Sequence, residues 1–211
     1  MLINSLATGV LRAHCYIVEG DYSGDDFVLV IDPGGSIDRI LKQLKKPVTH
    51  IALTHAHFDH VGALKALHEA YPEAKICVGE FEDTSVECIR RITKLAIGDF
   101  YFEKIGFDED LYTLPKTDIL LKDGDDFLGF KVIHTPGHTK GSICLYHEEE
   151  KVLFSGDTLF YNSYGRTDLE GNEYDLVKSL DRLMQLDSDT QVYPGHNETT
   201  TIGREKTNLG Y

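Results

Sequence analysis

The stretch THAHFDHVG, residues 54–62, indicates both the fold and the chemistry of this chain. It places three histidines and one aspartate within six residues: His55, His57, Asp59 and His60. Alternate residues of extended backbone point to the same side, so His55 and His57 can reach one ion. Asp59 and His60 are adjacent and can diverge towards a second ion. Because four such groups are costly to desolvate together unless an ion compensates them, the stretch predicts a metal site.

The composition limits the classes of partner and compartment. The chain has 35 acidic and 21 basic residues among 211, a formal charge of −14, which opposes binding to a phosphate backbone. No basic segment followed by an apolar run begins the sequence, and no apolar stretch reaches the roughly 18 residues of a membrane span. The four cysteines are far apart and form no CxxC pair. We therefore expect a cytoplasmic protein that acts on a small molecule, without a nucleic acid or membrane partner.

Apolar runs and their periodicity predict an α+β fold. Ile37, Ile40, Leu41 and Leu44 fall at helical spacing, with Ser36 placed to cap the helix. Further helices are predicted around residues 64–71, 86–95 and 176–184. Strands are predicted at residues 27–31, 50–54, 75–78, 119–121, 127–134, 142–147, 151–154 and 191–193. Strands alternate with helices in the first half and form meanders in the second, which indicates layers of at least two strand groups.

Three later turns each carry one ligand-type residue directly after a predicted strand. His138 lies in Thr135-Pro136-Gly137-His138, Asp157 follows Ser155-Gly156, and His196 lies in Tyr193-Pro194-Gly195-His196. With the first stretch they make seven candidate ligands, which divide into two sets. We assign His55, His57 and His138 to metal 1, assign Asp59, His60 and His196 to metal 2, and let Asp157 bridge. The set holds only nitrogen and oxygen donors, so two divalent ions are expected, Zn²⁺ first, with Fe²⁺ and Mn²⁺ also suitable.

Five motifs in this order resemble the metallo-β-lactamase superfamily, and within it the hydroxyacylglutathione hydrolase (glyoxalase II)-like branch. They are THAHFDHVG, TPGHTKGS, FSGDTLF, GRTDL and YPGHNETTTIGREK. The resemblance covers nearly the whole chain and implies one domain over residues 1–211. It implies the metallo-β-lactamase fold, a four-layer αββα sandwich, and the same seven ligands. The chain resembles a short form that lacks the C-terminal helical domain of two-domain glyoxalases, which leaves recognition of glutathione open.

The resemblance also implies a reaction, the cleavage of a thioester such as S-lactoylglutathione by a hydroxide of the dinuclear site. Asp59 is expected to orient that hydroxide or carry its proton. Tyr164 and Arg166, in the run Tyr164-Gly165-Arg166-Thr167-Asp168, are candidate substrate contacts. Arg166 could pair with a substrate carboxylate, or it could pair with Asp168 and shape the loop.

Other functions of the same fold stay open. Persulfide dioxygenases share the first motif and GRTD but use one iron. Their last motif is similar to Tyr-Pro-Ala-His, whereas this chain has Pro194-Gly195-His196-Asn197, which favours hydrolysis. A nuclease is disfavoured by the negative charge. Hydrolysis of lactam antibiotics is disfavoured, because secreted lactamases carry Arg at the position of His60 and Cys at that of Asp157. A non-catalytic metal-binding module would be expected to lack ligands, and none of the seven is missing.

Overall fold

The computed structural model describes residues 1–211, which fall into two compact units. The first unit comprises Met1–Val78 and Asp83–Leu120, and the second comprises Gly79–Glu82 and Leu121–Tyr211. That residues 1–211 act as a single domain stays a prediction.

A six-stranded mixed sheet runs through the first unit in the order β1-β2-β3-β4-β5-β6. Its strands are β1 Leu2–Thr8, β2 Ala13–Tyr22, β3 Asp25–Ile31, β4 His50–Leu53, β5 Lys75–Gly79 and β6 Ile119–Leu121. The first three strands form an antiparallel meander, whereas β3, β4 and β5 are parallel neighbours. Residues 27–31 of β3 are all buried, as expected for a continuous apolar run that is covered on both faces.

The helices of this unit are α1 Ile37–Gln43, α2 Phe58–Val61, α3 Leu64–Ala70, α4 Val86–Ile105 and α5 Glu109–Tyr112. Ser36 occupies the predicted N-cap position of α1, but its backbone is left-handed (φ 55°) and its side chain makes no cap hydrogen bond. Its hydroxyl instead accepts a hydrogen bond from the Gly9 amide at 3.4 Å. The helix predicted to start at residue 86 continues to Ile105, because Gly98 (φ 78°) kinks α4 without ending it.

The second unit contains a six-stranded sheet in the order β14-β13-β10-β9-β8-β7 and a small hairpin of β11 and β12. Its strands are β7 Asp126–Phe127, β8 Phe130–His134, β9 Ile143–His147, β10 Val152–Gly156, β11 Leu159–Phe160, β12 Ser163–Tyr164, β13 Gln191–Pro194 and β14 Thr200–Thr201. Its helices are α6 Glu173–Leu183 and α7 Ile202–Leu209. Strand β9 is antiparallel to both β8 and β10, and β10 is parallel to β13. Strands β8, β10 and β13 therefore run in the same direction.

The single strand predicted at residues 127–134 is wrong. Leu128 (φ 55°) and Gly129 (φ 83°) adopt left-handed backbone and make a tight turn between β7 and β8. The two strands form a hairpin in which Phe127 pairs with Phe130. An apolar sequence pattern does not show such a turn, because leucine rarely adopts positive φ.

Each unit has an apolar cluster of its own. The first is centred on β2, β3 and β4 with α2 and α3, and includes Ile17, Val30 and Leu64. The second lies between strands and α6, and includes Leu153, Leu180 and Val192. None of the helices is both long and apolar enough to cross a membrane.

Candidate metal centre

In the first unit, the ligand-type residues follow the carboxyl end of a strand. Strands β3 and β4 are parallel, with Ile31 opposite Ala52, so the residues after both strands lie at the same sheet edge. His55 follows β4 directly after Thr54, and α2 begins after His57. Helix α2 then carries Asp59 and His60. The topology therefore brings together the four residues that the first stretch predicted for this unit.

The rings of this group are buried and close to one another. The centroid of His55 lies 4.6 Å from that of His57 and 4.1 Å from that of His60. The His60 Nε2 atom lies 3.8 Å from Asp59 Oδ2. All four side chains are at most 8% exposed. Imidazole nitrogens and a carboxylate held this close in a buried loop suit a divalent cation, which would offset the cost of burying them.

Asp32, which the sequence analysis did not single out, holds His60 in place. It follows β3 with left-handed backbone (φ 50°) and is 2% exposed. Its Oδ1 accepts a hydrogen bond from the Thr54 amide at 2.8 Å, and its Oδ2 accepts from the Thr54 hydroxyl at 2.6 Å. His60 Nδ1 lies 3.0 Å from the same Oδ2. Because a carboxylate only accepts, His60 carries its proton on Nδ1 and directs Nε2 as the metal-binding nitrogen.

Asp32, His55 and His60 offer ligand atoms within 4.8 Å of one another. Both carboxylate oxygens of Asp32 accept hydrogen bonds from Thr54 or His60, which suits a residue that orients the candidate ligands.

The Thr54 hydroxyl links Asp32 to His55 and so determines the tautomer of the His55 ring as well. The Thr54 hydroxyl donates its one proton to Asp32, so its oxygen is left to accept from His55 Nδ1 at 3.1 Å. His55 is therefore also protonated on Nδ1 and can use Nε2 as a ligand. One buried carboxylate thus sets the tautomers of two of the three histidines in the stretch.

In the second unit, the three predicted ligands follow three strands that run in the same direction. His138 lies in the turn after β8, Asp157 follows β10, and His196 follows β13. Asp157 Oδ2 lies 3.6 Å from His138 Nε2 and 3.7 Å from His196 Nε2. One carboxylate oxygen therefore stands between two imidazole nitrogens, both at distances longer than an ordinary hydrogen bond.

The loop that contains GRTD orients His138 through its backbone. His138 Nδ1 lies 2.7 Å from the carbonyl oxygen of Arg166, so this ring also carries its proton on Nδ1. Gly165 allows the approach, since a Cβ there would lie 1.8 Å from the Asp157 carbonyl oxygen and 3.2 Å from His138 Cβ. The motif therefore holds the loop against two of the candidate ligands, His138 and Asp157.

The side chains proposed as substrate contacts lie at the surface. Arg166 forms a bidentate ion pair with Asp168, with Nε–Oδ1 and Nη2–Oδ2 distances of 2.7 Å each. This pair lowers the pKa of Asp168 to about 2, chiefly through the hydrogen bonds from Arg166. Tyr164 lies in β12 and is 48% exposed. The loop-shaping alternative for Arg166 matches this geometry, and contact of Tyr164 or Arg166 with a substrate stays a prediction.

Residues 8–196 match the family described as the metallo-beta-lactamase superfamily. The chain belongs to this superfamily. The match confirms the resemblance drawn from the motifs, and with it the predicted metallo-β-lactamase fold with two mixed sheets. Together with the histidine and aspartate groups, membership makes the chain a metal-dependent hydrolase whose donors suit divalent ions.

Similar proteins span nearly the same length. The hydroxyacylglutathione hydrolase GloC of Haemophilus influenzae is 30% identical over 221 residues, covering 98% of this chain and 95% of the relative. The crystal structure of TTHA1623 in a di-iron-bound form superposes with a TM-score of 0.78 at 32% identity, covering 97% of this chain and 98% of that one. The structure of the B3 metallo-beta-lactamase BLEG-1 gives 0.76 at 31% identity, with 98% and 97% covered.

Proposed function

We propose that this metallo-β-lactamase superfamily member hydrolyses acyl thioesters at a centre of two divalent ions, with S-lactoylglutathione as the first substrate to test. The relative GloC, a hydroxyacylglutathione hydrolase similar over 98% of this chain, supports this class of substrate. Hydrolysis breaks the carbon–sulfur bond: water gives its oxygen to the new carboxylate, one of its protons ends on the departing sulfur as a thiol, and the other is released to solvent.

The proposed ligands are the seven predicted from the sequence: His55, His57 and His138 for metal 1, Asp59, His60 and His196 for metal 2, and Asp157 as the bridge. The observation that carries this assignment is the position of Asp157 Oδ2, 3.6 and 3.7 Å from the nitrogens of His138 and His196. Two ligands that each lie about 2.0–2.2 Å from a shared tetrahedral ion are about 3.4 Å apart. The carboxylate oxygen therefore stands where a ligand common to both histidines' ions is expected.

When bound, such ions polarise a carbonyl and lower the pKa of water towards ~7, which makes a nucleophile available at neutral pH. The protein's own residues orient the donors. Asp32 holds His60 directly and His55 through Thr54, and the Arg166 carbonyl holds His138. Asp59, buried in the first turn of α2, is proposed to orient the attacking water and hold its proton.

Metal analysis combined with a thioester panel tests the proposal. Protein purified without added metal is expected to contain close to two divalent ions per chain and to cleave S-lactoylglutathione. Asp157→Ala should lower metal content and abolish turnover together, whereas Asp189→Ala, which removes an exposed aspartate of the same unit, should change neither. Turnover by Asp157→Ala, or by the parent chain in excess chelator, would contradict the dinuclear proposal.

The same preparation separates the rival activities. If the protein contains one iron per chain and consumes oxygen with glutathione persulfide, it is a persulfide dioxygenase and the proposed hydrolysis is wrong. Cleavage of a chromogenic β-lactam at a rate above that of any thioester would instead favour the activity named for BLEG-1. Zinc is the proposed native ion, because the donors are imidazole and carboxylate, and iron or manganese in the purified protein would correct that choice.

We also propose a cytoplasmic location and a small-molecule substrate. The four cysteines form no disulfide, and Cys15, Cys77 and Cys144 are buried thiols. The net charge of −14 disfavours a nucleic acid as the substrate.

A further inference from the structure

A cavity of about 300 Å³ opens beside the candidate ligand Asp59 within the first unit. Its lining includes Phe58, Asp59, Ile105, Phe107, Leu111 and Tyr112. The predicted ligands themselves do not explain this space, since only Asp59 among them borders it. Its position next to Asp59 makes it a candidate for part of the substrate.

Phe107 and Tyr112 form one wall of the cavity and belong to a stack of three aromatic rings that Phe102 completes behind them. Phe102 and Phe107 stack with centroids 5.5 Å apart and planes 21° apart, and Phe107 stacks on Tyr112 at 4.8 Å and 14°. Gly106 (φ 64°) ends α4 and lets the chain fold back so that Phe107 meets both rings. The kink at Gly98 lies earlier in the same helix. The wall is therefore built from packed rings and not from loose loop residues.

The floor brings the cavity close to the metal ligand. Gly34 and Gly62 line it, and a Cβ on Gly34 would lie 1.7 Å from the carbonyl oxygen of Asp59. A Cβ on Gly62 would lie 2.7 Å from the carbonyl oxygen of Gly34. Only glycine at these positions lets the backbone segments touch, and this contact fixes the backbone of Asp59 in the lining of the cavity.

The charge of the lining decides which part of a thioester fits. Its only ionisable acidic groups are Asp59 and Asp108, and no lysine or arginine lines it. Biological thiol carriers such as glutathione and coenzyme A carry carboxylates or phosphates, which would meet the carboxylate of Asp108 and no cationic side chain in this lining. Val10 and Ile105, 84% and 53% exposed, add apolar surface at the mouth. An uncharged apolar group is therefore the part of the substrate that matches this lining.

From this lining we infer that the cavity binds the acyl group of the substrate, and that the preferred acyl groups are apolar and longer than lactoyl. The inference rests on the proposed thioester hydrolysis and specifies its substrate. Burial of each added methylene among Phe107, Leu111 and Tyr112 strengthens binding in the transition state as long as the chain stays inside the cavity.

A series of acyl thioesters with one uncharged thiol, N-acetylcysteamine, tests the inference on the metal-loaded protein. From acetyl to butyryl to hexanoyl, kcat/KM is expected to rise about fourfold for each methylene, the fold-change that corresponds to ~0.8 kcal/mol. A glutaryl thioester has the five carbons of pentanoyl and ends in a carboxylate. It should be cleaved at least about fivefold more slowly than pentanoyl, because its charge meets the carboxylate of Asp108 and no cationic side chain in the lining.

Two variants on α4 locate the effect. Ile105→Glu places a carboxylate at the mouth and should remove most of the gain with chain length. Leu95→Glu makes the same change at a residue of equal exposure, 54% against 53%, that does not line the cavity, and should keep the parental gain. Metal content, measured for both variants, should equal that of the parent.

The outcomes separate the two proposals. If the metal-loaded protein cleaves none of the thioesters, the proposed function fails and the inference falls with it. If it cleaves all of them at rates independent of chain length, or if Ile105→Glu keeps the same gain as Leu95→Glu, thioester hydrolysis stands and the acyl-binding cavity is refuted.

Discussion

Replacing Asp32 by Asn changes one oxygen of the carboxylate that holds His60 and leaves the size of the side chain almost unchanged. The Thr54 amide needs an acceptor at 2.8 Å, so the amide oxygen of Asn must take the place of Oδ1. The new NH₂ group then takes the place of Oδ2, opposite the Thr54 hydroxyl and His60 Nδ1. Because this group donates, His60 Nδ1 must accept, and the ring proton moves to Nε2, the nitrogen proposed to bind metal.

The expected loss follows from these contacts. Partners that orient a metal ligand are typically worth 10–100-fold in metal affinity, so Asp32→Asn should weaken zinc binding by about that factor, or ~1.4–2.7 kcal/mol. The metal-free protein also loses stability. Three hydrogen bonds to a charged group, at ~1.5–3 kcal/mol each, become neutral ones at ~0.5–1.5, a difference of about 3–4 kcal/mol in the free energy of unfolding.

Zinc affinity is measured by competition with a chromophoric chelator, and stability by urea unfolding of the metal-free protein. The matched control is Asp118→Asn, which also lies in the first unit and accepts a backbone hydrogen bond, from Ile76 at 2.9 Å, without touching a candidate ligand. Asp118→Asn should keep parental zinc affinity. If Asp32→Asn binds zinc within twofold of the parent although its stability falls, Asp32 supports the fold alone and the tautomer argument is refuted.

Three further outcomes are expected. Gly34→Ala should displace Asp59 and lower metal affinity, because its Cβ would lie 1.7 Å from the Asp59 carbonyl oxygen. The control Gly24→Ala, with open space around the new Cβ, should keep the parental affinity. Equal metal affinities of the two variants would contradict the importance of the close contact. Glu205→Gln should lower the free energy of unfolding of the metal-free protein by about 1–3 kcal/mol, since this buried carboxylate accepts several hydrogen bonds. An unchanged midpoint of urea unfolding would contradict this prediction. A disulfide reagent should modify Cys88 fast and the other three cysteines slowly, because burial raises their thiol pKa values; a fast phase that survives Cys88→Ser would refute this.

The local positions of the candidate ligands could be predicted because they depend on short-range patterns. A buried apolar strand followed by a turn with a ligand-type residue singled out His138, Asp157 and His196, and the structure places them in the turns after β8, β10 and β13. These three strands run in the same direction, so their ends share one sheet edge, which the sequence does not show. Spacing identified the residues, whereas strand pairing explains why they lie together.

The residues that orient the ligands were harder to predict. Asp32 lies in the turn Asp32-Pro33-Gly34-Gly35, where an aspartate is common for local reasons. Its contact with His60 depends on the parallel pairing of β3 and β4, which joins residues 28 positions apart. An acidic residue directly after a buried strand was the available signal. Arg166 acts on His138 through its backbone carbonyl, and no side-chain pattern encodes such a contact.

The hydrogen bonds behind the ligands explain how each group of donors keeps its geometry without an ion. In the first unit, Asp32 and Thr54 hold two rings, and in the second unit, the Arg166 carbonyl holds His138. Each ring is thus fixed, with Nε2 directed as the ligand, by contacts inside its own unit. The entropy of ordering these side chains is lost on folding, so we expect the proposed ligands to bind divalent ions more tightly than mobile histidines would. For the same reason, substitution of Asp32 is expected to lower metal affinity although Asp32 is not among the seven proposed ligands.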